Sequence, residues 1–65
     1  MKDFEKVLHD FESVEYGDNA AAIDDVNFVV YVKLGNVIGN WKYVTRDSAR
    51  KEYENIRDVI AESSK

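Results

Sequence analysis

Few residues of this chain have the type and spacing that catalysis requires. His9 is the single histidine and there is no cysteine, so a general base, a thiolate nucleophile or a transition-metal site has little to be built from. Asp24 and Asp25 form an acidic pair that is simpler to interpret as a cap than as a weak divalent-cation site. Gly35 and Gly39 do not match a phosphate-binding loop, which needs more glycine and a following lysine. We therefore expect a protein that is not an enzyme and has no cofactor or metal.

Cationic side chains in the second half of the chain could bind anions. Arg46, Arg50 and Arg57 recur at spacings of four and seven, which places them along one side of a helix. The free backbone amides at the start of that helix would add to an anion site. The alternative is an ordinary capped helix with pairs four residues apart, such as Arg50–Glu54.

Nucleic-acid binding is the alternative function, because aromatic and cationic side chains on a sheet can stack bases and hold phosphates. The residues that would serve it are Tyr31, Lys33 and Lys42 on the sheet and Arg46 and Arg50 at the helix start. The expected order α-β-β-α resembles the double-stranded-RNA-binding domain, whose last helix carries phosphate-binding lysines at its N-terminus. Here Asp47 interrupts the cations, a third sheet strand is not evident, and the isoelectric point near 4.8 opposes phosphate binding.

The size and charge of the chain favour a small globular domain that associates with itself. Its 65 residues are 45% hydrophobic and 34% charged, which predicts a single α+β domain over 1–65. A chain of this length buries only about 60% of its unfolded surface, and without disulfides it commonly gains stability as a homodimer or larger assembly. Residues 1–32 have two cations and eight acids (−6), and residues 33–65 have seven cations and five acids (+2).

Hydrophobic periodicity places the elements. Apolar residues at helical spacing predict a helix over 1–16, although 12–16 could instead be a short third strand. Residues 20–25 are expected to connect this helix to two strands, at 26–34 and 37–45, rich in β-branched and aromatic side chains. A final helix is predicted over 46–62, with Thr45 as its N-cap. The sheet, only one hairpin, would be extended or covered by oligomerisation.

The dipeptide Gly-Asn occurs twice, and the choice of turn decides which side chains share a face. With Gly35-Asn36 as the tip, Val32 lies opposite Gly39 and Val30 opposite Trp41, so that one face is apolar. With Gly39-Asn40 as the tip, a glycine and an asparagine would fall inside a strand, where both are unfavourable. We therefore predict the first register. Its apolar side is expected to pack against both helices, through Phe28, Val30, Val32, Trp41 and Tyr43 on the strands and Phe4, Leu8, Phe11, Tyr53, Ile56 and Ile60 on the helices.

The other side of the hairpin is mixed in character and is the predicted partner-binding surface. Its members are Val29, Tyr31, Lys33, Asn40 and Lys42. We expect a non-catalytic protein-interaction, inhibitory or regulatory protein that is an oligomer and binds an unidentified protein. Small acidic cysteine-free proteins of this kind are common among phage and bacterial accessory factors that bind a host protein, which is an analogy of size and charge only. With no signal peptide or membrane-length apolar run evident, we expect a cytoplasmic location away from membranes.

Overall fold

A four-stranded antiparallel sheet between two helices forms the protein. The computed structural model describes residues 4–63. The elements are α1 (Phe4–Asp10), β1 (Glu12–Tyr16), β2 (Asn19–Asp24), β3 (Val29–Leu34), β4 (Val37–Lys42) and α2 (Arg46–Ser63). The strands are neighbours in chain order, so β1 and β4 are the two edges of the sheet. The predicted α+β class is correct, but the order is α-β-β-β-β-α and not α-β-β-α.

The predicted register of the second hairpin is confirmed. Val32 pairs with Gly39 and Val30 with Trp41, and Gly35 takes a φ of 62° at the tip. The first hairpin repeats this geometry, since Gly17 has a φ of 60° and precedes a second tip residue, Asp18. A positive φ at the first of two tip residues is the type II′ pattern, which requires glycine there and matches the twist of the strands.

The first half of the chain differs most from the sequence-based expectation. The helix predicted over 1–16 is observed only over Phe4–Asp10, residues 1–3 lying outside the described part. The alternative of a strand over 12–16 is confirmed, and the expected connector over 20–25 is mostly strand β2. Alanine prefers helices in isolation, but it also has the smallest side chain with which a central strand can let helices approach both faces closely. Tertiary packing therefore overrides propensity in β2.

One face of the sheet, here called the core face, is covered by α2. Its central side chains pack against Ala49, Tyr53 and Ile60 of the helix, all at most 1% exposed. The sheet contributes Ala21, Ile23, Val30 and Val32 to this cluster. The predicted contacts of Tyr53, Ile56 and Ile60 with the hairpin are therefore present.

The opposite face, here called the mixed face, carries α1 over its β1–β2 half. Ala20 and Ala22 point to this side because they alternate with core-face residues, and both are buried. Phe4 and Val7 of α1 are buried as well. Phe11, which follows α1, stacks on Tyr31 with ring centroids 6.0 Å apart. The prediction that both helices share one core is thus wrong: α1 and α2 lie on opposite faces.

The connection between β2 and β3 is organised by the buried carboxylate of Asp24. Its Oδ1 accepts hydrogen bonds from the backbone N–H groups of Val26 and Asn27, and its Oδ2 accepts one from Asn27 Nδ2. Phe28 closes the loop with a φ of 60°, a left-handed conformation that is unfavourable for an aromatic residue. This loop shortens the predicted strand over 26–34 to Val29–Leu34, while Tyr43 N–H still donates to Phe28 C=O at 2.8 Å. The second predicted strand, 37–45, ends at Lys42.

The final helix agrees with its prediction over 46–62, extending to Ser63. The backbone N–H of Ser48 donates to Thr45 Oγ1 at 3.1 Å, which confirms Thr45 as the N-cap. Asp47 in the first turn complements the helix dipole.

Candidate functional site

The structure brings the predicted partner-binding residues together on the half of the mixed face that α1 leaves uncovered. Val29 lies opposite Lys42, Tyr31 opposite Asn40, and Lys33 opposite Ile38. Asn40 and Lys42 are exposed, and the β3 members are half-buried. These side chains form one continuous polar and apolar patch beside α1. Their role in binding remains a prediction.

Two contacts fix the geometry of this patch. Phe11 lies parallel to the Tyr31 ring, with 7° between the planes, so one face of that ring is already occupied. Lys33 Nζ donates a hydrogen bond to the backbone carbonyl of Asp18 at 3.0 Å, which ties β3 to the tip of the first hairpin. The patch is therefore partly immobilised before any partner arrives, which lowers the entropy lost on binding.

A second surface, not foreseen from the sequence, lies where α2 leaves β4 uncovered on the core face. We call it the β4 flank: the free edge of β4 with the adjoining apolar side chains of Leu34, Val37, Trp41 and Val59. These four side chains are 50–71% exposed. All of them except Val37 line a groove of about 420 Å³, whose other lining residues are Val32, Tyr43, Glu52, Asn55, Ile56 and Ile60. Soluble monomers seldom leave contiguous apolar surface of this kind without a use for it.

The position of Trp41 corrects its predicted place in the core. It points to the core face, as the register requires, but remains 54% exposed. Helix α2 lies over the first three strands and does not reach far enough to cover it. The indole instead leans over Gly39, where an added Cβ would lie 3.5 Å from Trp41 Cη2. The in-strand glycine therefore makes room for an aromatic neighbour that lies outside the core.

The predicted anion-binding arginines do not form a free cluster. Arg50 donates to both carboxylate oxygens of Glu12, at 3.0 and 3.1 Å, and to Asp25 at 3.0 Å. These hydrogen bonds lower the pKa of Glu12, against the opposing effect of its partial burial, and raise the pKa of Arg50 further above its usual range. The expected Arg50–Glu54 pair is replaced by these contacts. Arg57 Nε lies 3.5 Å from Asp58 Oδ1.

The residues suggested for nucleic-acid binding fall on two sides of the sheet. Tyr31, Lys33 and Lys42 lie on the mixed face, whereas Arg46 and Arg50 belong to α2 on the core face. Phe11 occupies one side of the Tyr31 ring on which a base would stack. The two halves of the suggested surface are therefore separated.

The carboxylates of Asp24 and Asp10 and the imidazole of His9 make contacts with neighbouring residues of the chain. Burial alone would raise the pKa of Asp24, but the hydrogen bonds from Asn27 and Val26 lower it below its ordinary value. His9 Nδ1 lies 3.4 Å from Asp10 Oδ1 at an exposed position, and this contact and Lys6 lower the pKa of Asp10. Over residues 4–63, no three metal-ligating side chains are grouped as a cation site would need.

No family model, no curated protein and no solved structure matches the chain. Within the described residues, neither helix is long and apolar enough to cross a membrane.

Sequence reasoning missed the β4 flank because it lacked the first hairpin. Two extra strands widen the sheet beyond what one helix can cover, and α2 lies nearer to β2 than to β4. The available signal was the dipeptide Gly17-Asp18, which stands between two strand-length segments as Gly35-Asn36 does. A second hairpin read from that repeat would have made β3 an interior strand and left β4 at the edge of a wider sheet.

Proposed function

We propose that the protein is a non-catalytic interaction protein that acts as an oligomer and binds another protein through the open half of the mixed face. The observation that carries this proposal is the incomplete cover of the sheet. Helix α1 packs over β1 and β2, while Asn40 and Lys42 of β4 remain exposed within the described residues. An inhibitory or regulatory role, of the kind that phage and bacterial accessory factors have, is compatible with such a surface.

The chemistry of this face indicates what it would recognise. Tyr31 offers an aromatic ring held in place, and tyrosine is enriched in protein interfaces because it buries a large area at low entropic cost. Lys33 and Lys42 are cations on a chain whose net charge is −4, so a partner presenting carboxylates or carbonyl oxygens would complement them. A flat face of two strands suits a partner surface better than a small molecule.

The test compares the same substitution at a half-buried valine, Val29, and at an exposed valine, Val26. Val29 belongs to the mixed face, and Val26 lies in the β2–β3 loop, 83% exposed. With the tagged protein as bait in an extract of its native cell, Val29→Asp should lose a specific partner by at least about tenfold, because the added carboxylate is desolvated in the interface and repels the carboxylates that Lys33 and Lys42 would attract. Val26→Asp should retain it. Equal capture by both variants, with circular dichroism showing both folded, would contradict the proposed surface.

A further inference from the structure

The backbone of β4 has a row of hydrogen-bonding groups that point away from the sheet. Tyr43 N–H donates to Phe28 C=O, so residue 43 turns its backbone groups toward β3. In an antiparallel pair this orientation alternates, and Val37, Gly39 and Trp41 therefore also point inward. Ile38, Asn40 and Lys42 must point their N–H and C=O groups outward, and β4 is an edge strand. These groups can receive one more strand.

We propose that this edge pairs with β4 of a second copy of the chain, antiparallel about a two-fold axis at Asn40, to form a continuous eight-stranded sheet. The inference rests on the oligomeric part of the proposed function and specifies its surface and register. The partner must supply an extended segment with outward-pointing backbone groups and an apolar side, and β4 itself has both. The β4 flank, defined by Leu34, Val37, Trp41 and Val59, would then lie around the two-fold axis.

The register follows from the side chains that would face each other. Around Asn40, Ile38 of one chain lies opposite the partner's Lys42, so no two like charges are directly opposed on the mixed face. An axis at Lys42 would oppose two lysines, which is destabilising. An axis at Ile38 would run the ladder into the Gly35-Asn36 turn and shorten it. Only the register at Asn40 uses all three outward residues without a charge conflict.

The same register gives the in-strand glycine a partner on the core face. Gly39 would lie opposite the partner's Trp41 in a non-hydrogen-bonded pair, the closer of the two pair types. Because Gly39 has no side chain and the chain's own Trp41 already leans over it, the partner's indole can pack beside that ring on the core face. Each chain supplies one glycine and one tryptophan, so this cross-strand pair occurs twice about the axis.

The exposed apolar side chains lie where a dimer through β4 would need them. A stable interface buries about 800 Å² per partner, which is roughly a sixth of the 4536 Å² surface of the protein. Eight large hydrophobic side chains are exposed among the described residues, and Leu34, Val37, Ile38, Trp41 and Val59 adjoin the β4 edge. Pairing at β4 would bring both grooves together between the two copies of α2 and remove these side chains from water.

The test introduces a charge of either sign at the axis. Asn40 is exposed, so Asn40→Lys and Asn40→Glu leave the monomer folded while placing two like charges directly opposite each other. By analytical ultracentrifugation we expect the wild type to dimerise and each variant to dissociate with a Kd about fivefold higher. An equimolar mixture of the two variants should form a heterodimer at least as tight as the wild type. Lys51→Glu on the exposed side of α2 is the matched control and should dimerise like the wild type.

Trp41 gives an independent readout, since it is the only tryptophan. Its emission should shift to shorter wavelength with the same concentration dependence as dimer formation, because pairing removes a half-exposed indole from water. A second variant, Asn40→Pro, removes the outward N–H at the axis but no bond to β3, and should raise the Kd by at least about tenfold.

Three results would overturn the inference. The first is a wild type that stays monomeric when its concentration in the ultracentrifuge is raised 100-fold. The second is a dimer whose Kd neither Asn40 charge variant changes. The third is a mixture of the two variants that dimerises no more tightly than either variant alone. A monomer that still captures a partner in a Val29-dependent manner would refute the β4 pairing and leave the binding function in place. A dimer with the expected Asn40 behaviour and no Val29-dependent partner would refute the binding function and leave the β4 pairing in place.

Discussion

The two edges of this sheet are built differently. At β1, the carboxylate of Glu12 is bound by Arg50, Ser13 Oγ donates to the Leu8 carbonyl at 2.8 Å, and Glu15 is exposed. Helix α1 packs beside the same strand. Edge strands are usually protected from pairing by charge and by cover, and β1 has both.

At β4, the corresponding protection is almost absent. Val37 and Trp41 are exposed on the core face, Ile38 is exposed on the mixed face, and Lys42 is the only charge in the strand. An in-strand glycine and an exposed tryptophan replace the carboxylates of β1. One sheet thus has an edge closed by charge and an edge open to apolar contact, and the proposed pairing would use the open edge.

Arg50→Ala should have the largest effect on the closed edge. It removes hydrogen bonds to two carboxylates and leaves Glu12 and Asp25 near each other without a cation. Because these groups are partly solvated, we expect about 1–2 kcal/mol lower free energy of unfolding by urea titration. Arg57→Ala, which loses the contact to the neighbouring Asp58 and a weaker charge interaction with Glu12, is the control and should change stability by less than about 0.5 kcal/mol. Equal losses in both would show that β1 does not depend on this ion pair.

Some elements of the fold could be predicted from the sequence and others could not. The second hairpin follows from local alternation and a Gly-Asn turn, and α2 from a periodic stripe with Thr45 as its cap, so both were predictable. Strand β2 was not, because Ala20, Ala21 and Ala22 take strand geometry only where helices pack on both sides of them. A pattern within one segment contains no information about that arrangement.

The two candidate surfaces also differ in how far the sequence predicts them. The mixed face follows from the strand register alone, and its residues were predicted together. The β4 flank depends on the width of the sheet and on where α2 crosses it, both of which are tertiary properties. Arg50 likewise binds Glu12, which is 38 residues away in sequence, whereas helix spacing suggested a local partner.

Acid should weaken the closed edge before the open one. The pKa of Glu12 is lowered because Arg50 donates to it, so its contribution is fully present above the unfolded value of 4.5 and is lost as pH falls through the lower folded value. The pKa of Asp24 is lowered too, and its contribution is lost over a similar range below 3.8. Urea midpoints should converge for the wild type and Arg50→Ala as pH falls below 4.5. A stability difference that stays constant across this range would exclude the carboxylate as its source.

Removing charge from β1 should make the two edges more alike. Glu15 points its backbone groups outward by the same alternation that applies to β4, and its side chain is exposed. Glu15→Val should therefore allow pairing at both edges and produce assemblies larger than a dimer, seen as added fast-sedimenting species and light scattering. Glu54→Val, an equivalent change on the exposed side of α2, should not do so.

Gly39→Ala should have the smallest effect, and it separates the fold of β4 from its association. Gly39 is not in the left-handed region, and its added Cβ would meet Trp41 at ordinary contact distance. Alanine restricts the unfolded chain more than glycine, so the monomer should gain about 0.5 kcal/mol in urea unfolding at high dilution. In the paired register the same methyl lies beneath the partner's Trp41, so the dimer Kd should rise while the monomer becomes more stable. Opposite signs in the two measurements are expected if Gly39 lies within the dimer interface, opposite the partner's Trp41. A parallel gain in both would place the indole elsewhere.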